Sequence, residues 1–174
     1  MIKKDILASS EISATVPDWS REYKSFFTWD PSRSLLASIR AYQSHSNSSF
    51  FLSKIANKIA VFRHRFWSIV TGADIPINTN IEGGLLIPHP NGVVIHPDVR
   101  VGVNCLIFQQ VTIGSVNGSA PPTIGGHVDI GAGAKILGKL TIGDHAKIGA
   151  NAVVLIDVPT GKTAVGIPAK ITKN

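Results

Sequence analysis

Aliphatic residues recur at a six-residue step through the second half of the chain. The thirteen positions of this ladder are Ile75, Ile81, Ile87, Ile95, Val101, Ile107, Ile113, Ile124, Ile130, Ile136, Ile142, Ile148 and Val154. A second apolar residue, often smaller, follows four positions later at Val99, Cys105, Val111, Val128, Ala134, Ala146, Ala152 and Val158. The ladder is interrupted twice, between Ile87 and Ile95 and between Ile113 and Ile124.

A six-residue period predicts a coil of short strands. An α-helix repeats every 3.6 residues and a strand every 2, so neither element alone explains the step. If three short strands make one turn, each aliphatic side chain stacks on its equivalent about eighteen residues away, and each coil buries its neighbour's core. Glycines that directly follow ladder residues, such as Gly131 and Gly143, are interpreted as a tolerant backbone at the bends. The two interruptions are expected to be exposed loops that carry function.

The first 71 residues follow a different pattern, rich in aromatic side chains. Helical spacing predicts a short helix over Ser34–Ser44, with start signals at Asp30, Pro31 and Ser32, and a second over about Phe50–Val70. The second helix carries an apolar face of Phe51, Ile55, Ile59, Phe62, Phe66 and Ile69 among basic residues. Packing of this face against the next domain or another subunit is favoured over contact with an anionic membrane surface.

Composition and charge narrow the function classes. The net charge of +6, from 17 Lys plus Arg against 11 Asp plus Glu, suits a phosphate-bearing ligand as well as nucleic acid. No zinc-finger spacing or aromatic single-strand-binding motif is present, so nucleic acid is not expected. The single cysteine, Cys105, excludes a disulfide framework and is predicted to be a buried, inert thiol.

The expected location is the cytoplasm. Acidic residues are mixed into the stretch Met1–Ser20, which argues against a signal peptide. No apolar run approaches the roughly 18 residues that a membrane-spanning helix needs.

Several runs of residues carry a family resemblance. They are Gly72-Ala73-Asp74-Ile75, the stretch from Ile107 to Gly114, the stretch from Ile130 to Gly138, the stretch from Ala146 to Ala150, and the stretch from Val165 to Lys170. The region from Gly72 to Lys170 that contains them resembles the hexapeptide-repeat acyltransferases, and within these the serine acetyltransferases. The resemblance implies a mainly β fold, a left-handed parallel β-helix of hexapeptide repeats with a short α-helical N-terminal region. The corresponding division is 1–71 helical, 72–170 β-helix and 171–174 tail.

The resemblance also implies an activity and a site. The activity is O-acetyl transfer from acetyl-CoA to the hydroxyl of a small acceptor, L-serine in the family, by a homotrimer without a metal. Such a transfer needs a base to take the hydroxyl proton, and His89, in the first interruption, has the suitable chemistry. Asp74, fifteen residues upstream, falls at the spacing of the family's aspartate that orients the imidazole. The acetyl-CoA contacts implied by resemblance are Gly114, Ala132, Gly133, Lys147, Ala150 and Lys170.

The remaining histidines are expected to have structural or solvated roles. They are His45, His64, His96, His127 and His145. Carbonic anhydrases of the same fold bind zinc through three histidines on facing coils, and no spacing here matches that triad.

The chain departs from the serine acetyltransferase pattern at the acceptor side. The family's Arg-His pair, which holds the amino acid carboxylate, is replaced by Ala120 and Pro121, and Pro88 stands where an aspartate usually precedes the catalytic histidine. Loss of charge-assisted bonds to a buried carboxylate costs about 2 to 5 kcal/mol of recognition. A sugar hydroxyl in surface-polysaccharide biosynthesis is therefore the alternative acceptor, and a non-enzymatic solenoid scaffold is the less favoured alternative.

Overall fold

The computed structural model describes residues 12–25, 27–45 and 50–172. A 3₁₀ helix at Trp19–Glu22 precedes two α-helices, α1 at Pro31–His45 and α2 at Phe51–Thr71. Thirteen short strands follow: β1 Asn80–Ile81, β2 Val94–Ile95, β3 Arg100–Val101, β4 Leu106–Ile107, β5 Thr112–Gly114, β6 Thr123–Ile124, β7 Asp129–Ile130, β8 Lys135–Leu137, β9 Thr141–Ile142, β10 Lys147–Ile148, β11 Val153–Val154, β12 Thr163–Gly166 and β13 Ala169–Ile171. The predictions about a signal peptide and the tail concern, in part, residues 1–11 and 173–174, which lie outside the described residues.

The strands form three sheets that are the walls of a triangular prism. Sheet 1 has the order β1-β3-β6-β9, sheet 2 the order β13-β12-β10-β7-β4, and sheet 3 the order β11-β8-β5-β2. All pairs are parallel except β12 with β13. Ile95 lies opposite Ile113, eighteen residues on, and Ile113 lies opposite Ile136 across the longer interruption. The fold is the coil of short strands that the period predicts and the left-handed parallel β-helix that the family resemblance implies.

The six-residue ladder is the core of the prism. Each of its thirteen aliphatic side chains is at most 3% exposed, and each of the eight residues at the second apolar position is at most 1% exposed. Both sets therefore point inward, as predicted. Insertions of two and five residues are accommodated outside the strands, so the inward register is unchanged on either side of them.

The glycines at the bends are explained by close packing of successive coils. A Cβ on Gly131 would lie 2.6 Å from the amide nitrogen of Ala150, and one on Gly143 would lie 2.5 Å from that of Thr160. Neither glycine has a positive φ, so the interpretation of a tolerant backbone at these positions is wrong. Left-handed backbone occurs elsewhere at the bends, at Gly84, Gly92, Asn104, Gln110, His127, Gly133, His145 and Asn151.

Helix α1 covers the first coils of the prism. Leu35, Leu36 and Ile39 are fully buried and belong to the same apolar cluster as the ladder residues. The helix begins three residues earlier than predicted, because the Oδ1 atom of Asp30 accepts a hydrogen bond from the backbone N–H of Arg33 at 2.9 Å. This contact satisfies an amide that would otherwise have no partner in the first turn.

Helix α2 does not pack on the prism through its predicted apolar face, so the next domain is excluded as the partner of that face, and packing against another subunit stays a prediction. Ala60 is buried and Trp67 packs against the core, whereas the apolar face centred on Phe62 points away from the described part of the chain. The helix ends at Thr71, where Gly72 adopts a left-handed conformation and donates its N–H to the carbonyl of Ser68. Within the described residues no helix has the length and apolar content needed to cross a membrane.

The segment 12–22 is tied to one edge of the prism, the bend between sheets 1 and 2. The fully buried amide of Asn104 donates to the carbonyls of Ser13 and Val16 and accepts from the backbone N–H of Asp18. Glu22 accepts from the backbone N–H of Gly84 and pairs with Arg40 at 2.7 Å. We call this segment the N-terminal strap.

Candidate active site

His89 lies in the first interruption of the ladder, as predicted. The loop 88–92 leaves sheet 2 after Leu86 and enters sheet 3 before Val94. The His89 side chain is exposed, and it lines a cleft of about 360 Å³ with Asp30, Ser32, Thr71 and Asn91. The cleft is therefore formed jointly by the loop, the start of α1 and the end of α2.

Asp74 lies on the coil beside the His89 loop. Its N–H donates to the carbonyl of Val93 at 2.8 Å, and its carbonyl accepts from the N–H of Ile95 at 2.9 Å. These bonds place Asp74 next to the strand that follows the loop, with its side chain exposed. In the part of the chain that the structure describes, no hydrogen bond joins Asp74 to His89, and no ion pair of 4.0 Å or less does so. Their pairing stays a prediction.

Three of the predicted acetyl-CoA contacts share an edge of the prism with the His89 loop. This edge, the bend between sheets 2 and 3, consists of residues 88–92, 109–110, 132–133 and 150–151; we call it the site edge. Backbone N–H groups of Gln110, Gly133 and Asn151 donate along it to the carbonyls of Asn91, Gln109 and Ala132, at 3.0, 2.8 and 2.8 Å. At about 4.8 Å for each coil, the edge extends about 14 Å from the loop.

The other predicted contacts lie off the site edge. Gly114 is the last residue of β5, at the opposite margin of sheet 3. Lys147 is exposed on β10, between Asp129 and Thr163 in sheet 2. Lys170 is exposed on β13, opposite Val165. The structure thus brings Ala132, Gly133 and Ala150 together, and leaves the two lysines on the adjoining face.

Gly114 has no structural reason to be glycine within this chain. Its φ is not positive, and a Cβ placed on it would have no atom within 4 Å. The other glycines with this much open space, Gly118 and Gly161, both have positive φ. The surface at position 114 is therefore open to a bound molecule or a neighbouring subunit.

Gln109 is a residue of the site edge that sequence reasoning missed. Its Oε1 atom is buried and has no hydrogen-bond partner among the described residues. Buried polar atoms are usually satisfied, so this acceptor is suited to a ligand donor such as an amide N–H. The sequence does contain a signal for Gln109. This residue lies in the run from Ile107 to Gly114, at a bend where the next two coils carry the small residues Ala132 and Ala150.

His127 and His145 form a pair that was not predicted. Their Nδ1 atoms are 2.8 Å apart and their rings meet edge to face at the bend between sheets 1 and 2. Burial lowers the pKa of His127, and the neighbouring His145 adds to this, while Asp129 opposes it. The pair lies outside the candidate site, and its structural or solvated role stays a prediction.

Neither the cysteine nor a group of metal-ligating side chains adds a further reactive site in the described residues. Burial raises the pKa of the Cys105 thiol to about 12, and its Sγ lies 3.2 Å from the carbonyl of Gly125. The predicted burial of the thiol is therefore confirmed, and its inertness stays a prediction. Within residues 12–25, 27–45 and 50–172, no three His, Cys, Asp or Glu side chains are grouped so as to hold a metal ion.

Comparison with known proteins shows the family to which the chain belongs. Residues 121–155 match the family model described as bacterial transferase hexapeptide (six repeats), so the prism is that of a hexapeptide-repeat transferase. A serine acetyltransferase of Helicobacter pylori (strain J99) is 41% identical over 138 residues, which cover 77% of this chain and 77% of that protein. The chain belongs to the serine acetyltransferase family, whose members are acyltransferases.

Solved structures agree with this assignment. The crystal structure of serine acetyltransferase from Brucella abortus strain S19 has a TM-score of 0.70 and 30% identity, over 83% of this chain and 57% of that one. A serine acetyltransferase in complex with CoA has a TM-score of 0.69 and 32% identity, over 83% and 58% of the two chains. The chain thus spans somewhat more than half the length of these structures.

Proposed function

We propose that this chain is an acetyl-CoA-dependent O-acetyltransferase that acetylates the hydroxyl of L-serine, with His89 as the general base. The observation that supports this proposal is the site edge, which aligns the exposed His89 loop with Gln109 and Gln110 on the next coil and with small residues on the two coils beyond. An extended thioester lying along about 14 Å of this edge would bring its reactive end to the loop. The complex of a related enzyme with CoA supports acetyl-CoA as the donor.

In the proposed reaction, the His89 imidazole takes the acceptor's hydroxyl proton as the oxygen attacks the thioester carbonyl. The new C–O bond forms, the C–S bond breaks, and the departing thiolate of CoA takes the proton back from the imidazolium. Asp74 is assigned as the carboxylate that orients the ring, since it lies on the adjacent coil and is exposed. Hydrogen bonds of this kind are often formed only in the substrate complex.

The acetyl-CoA contacts are assigned to Gly114, Ala132, Gly133, Lys147, Ala150 and Lys170. The open surface at Gly114 and the unpaired Oε1 of Gln109 support a ligand approaching sheet 3 and the site edge. The two lysines supply cations on the adjoining face for phosphates.

We further propose a homotrimer in the cytoplasm, divided into a helical region (1–71), a β-helix (72–170) and a tail (171–174). A groove for acetyl-CoA between two prisms requires a neighbouring chain, and the unfilled space at Gly114 supports such a groove. A single buried cysteine is compatible with a reducing compartment.

A sugar hydroxyl is a second candidate acceptor. Among the described residues that line the His89 cleft, Asp30 is the only acidic one and no Lys or Arg is present; the nearest cation paired with the lining is Arg33, 3.6 Å from Asp30. Ala120 and Pro121 add no cation. Trp29, the residue before Asp30, is exposed and offers a flat apolar surface. The lack of a lining cation for an amino acid's carboxylate is the observation that favours a polyhydroxyl acceptor as the second candidate.

Release of CoA thiol, measured with L-serine and with a panel of hexoses and N-acetylhexosamines, tests both acceptors. We expect His89→Ala to lower kcat by about 10²- to 10⁴-fold without changing the far-UV circular dichroism or the oligomeric state. His96→Ala is the matched control, because His96 lies on a different bend and bonds locally to Asp98. Full turnover by His89→Ala would refute the assignment of the base, and saturable activity on serine alone would dismiss the sugar.

A further inference from the structure

The outward face of α2 is a continuous apolar surface. Its side chains are between 40% and 83% exposed. We call this surface the α2 stripe; it consists of Phe51, Leu52, Ile55, Ile59, Phe62, Phe66, Ile69 and Val70. Monomeric proteins rarely leave a patch of this kind uncovered, so it points to a binding surface.

The α2 stripe has the shape of one side of a regular helix. At about 100° for each residue, its members fall within a sector about 100° wide. With a rise of about 1.5 Å for each residue, the stripe is roughly 30 Å long. Ala60 and Trp67 lie on the opposite side, against the prism, so the stripe does not compete with the fold of the chain.

Basic residues border the stripe on both sides. By the same helical geometry, Lys54, Lys58 and Arg65 follow one margin and Arg63 lies at the other, and all four are exposed. The helix contains no Asp or Glu between Phe51 and Thr71. Long basic side chains beside an apolar stripe can extend their charged ends into a layer of lipid phosphates while the stripe enters the acyl region.

We propose that the α2 stripe binds the surface of an anionic lipid membrane, with the helix lying in the plane of the interface. The charged residues on the helix prevent it from crossing a bilayer, whereas a wide apolar face flanked by cations is typical of interfacial helices. Pairing with α2 of a second copy would instead place four cations against four cations, in a chain whose net charge is already +6.

Aromatic residues at the end of the stripe support the same partner. Trp29 is 73% exposed, and its ring centroid is 5.5 Å from that of Trp67, which in turn is 5.0 Å from that of Phe66. Amphipathic aromatic rings are preferred at the level of lipid headgroups. Val70, at the same end, lines the His89 cleft, so a docked helix would hold the cleft at the membrane surface.

The test is flotation of the full chain with vesicles of phosphatidylcholine containing about one-third phosphatidylserine, and with vesicles of phosphatidylcholine alone. We expect binding to the anionic vesicles that weakens as salt is raised, because the cations are screened. Lys54→Gln/Lys58→Gln should reduce partitioning roughly 30-fold. Phe62→Ser/Ile69→Ser should abolish it.

Two matched variants serve as controls. Lys139→Gln/Lys162→Gln removes two cations from the coils, and Leu155→Ser/Ile156→Ser removes two exposed apolar side chains from a bend. Both should bind vesicles like the unmodified chain. Sedimentation velocity on every variant reports the oligomeric state. Absence of vesicle binding by the unmodified chain overturns the proposal. If Phe62→Ser/Ile69→Ser no longer oligomerises and the unmodified chain does not bind vesicles, the α2 stripe is a contact with a second copy of the chain. That result would also overturn the proposal.

Discussion

Two alanine substitutions, at Gly114 and Gly131, should have opposite effects on stability. Both residues lie on coils of the prism and neither has a positive φ. A Cβ at position 114 meets no atom within 4 Å, whereas one at position 131 lies 2.6 Å from the nitrogen of Ala150 and 2.9 Å from the carbonyl oxygen of Ile148. Backbone atoms cannot swing aside as a flexible side chain can, so Gly131→Ala must displace a whole coil.

The magnitudes follow from these surroundings. Gly114→Ala removes only the conformational freedom that glycine has in the unfolded chain, and should raise the free energy of unfolding by about 0.4 to 1 kcal/mol. Gly131→Ala introduces an overpacked contact and should lower it by about 1 to 3 kcal/mol. Urea unfolding at one fixed protein concentration measures both, provided the m-value is unchanged.

Gly114→Ala also tests the proposed groove. If acetyl-CoA or the neighbouring prism approaches this surface, the added methyl group should raise the KM for acetyl-CoA about tenfold while the chain remains folded. Sedimentation velocity separates an effect on the ligand from one on subunit assembly. An unchanged KM and an unchanged assembly would remove Gly114 from the site, and a Gly131→Ala variant as stable as the unmodified chain would refute the packing explanation for the glycines.

Three further predictions concern the strap and the buried groups. Burial lowers the pKa of His127 in the folded chain, so as the pH falls the imidazole is protonated in the unfolded chain before it is protonated in the folded one. The contribution of His127 to stability should therefore be complete above about pH 6.5 and decrease below it. In His127→Asn, which tolerates the left-handed backbone as Asn104 does, the Tm should depend less on pH between pH 7.5 and 5. The Cys105 thiol should not react with a disulfide reagent at pH 8 until the chain is unfolded in urea, and rapid reaction of the folded chain would contradict its burial. Asn104→Gly keeps the backbone conformation but removes three hydrogen bonds to the strap, and should lower the free energy of unfolding by about 1.5 to 4 kcal/mol and expose residues 12–18 to limited proteolysis.

The prism was predictable because its core follows a single period. Within the prism a ladder residue such as Ile130 lies opposite its equivalents on the coils before and after it, so the sequence repeats the same physical requirement from turn to turn. The interruptions were predictable for the same reason, since a break in a strict period stands out. His89 was chosen as the candidate base from its place in one of them and from the family resemblance.

Features that depend on contacts between different bends were harder to predict. His127 and His145 were each judged alone, although their separation of eighteen residues is the coil repeat and places them on one edge. The contact of the strap with Asn104 joins residues about 90 positions apart and has no periodic signal. The expectation that the apolar side of α2 packs on the next domain was wrong, because close approach to the prism selected the side with Ala60; its packing against another subunit stays a prediction.

The acceptor side of the site has the weakest signal in the sequence. The cleft beside His89 is assembled from Asp30, Thr71 and Asn91, which belong to three separate elements. No period relates these residues, so only the folded chain shows that they meet.

The two ends of the prism govern how prisms can join. A coil of parallel strands would ordinarily present unpaired backbone groups at each end, and such edges promote stacking of one molecule on the next into fibres. Here α1 places Leu35, Leu36 and Ile39 over the first coils, and β13 turns back antiparallel along β12. A second prism stacked on the end of the first would contact helix α1 at one end. At the other end it would contact β13, which runs opposite to the other strands of its sheet. Growth along the axis is thereby discouraged, and the flat walls are left as the surfaces through which copies can associate into a closed assembly.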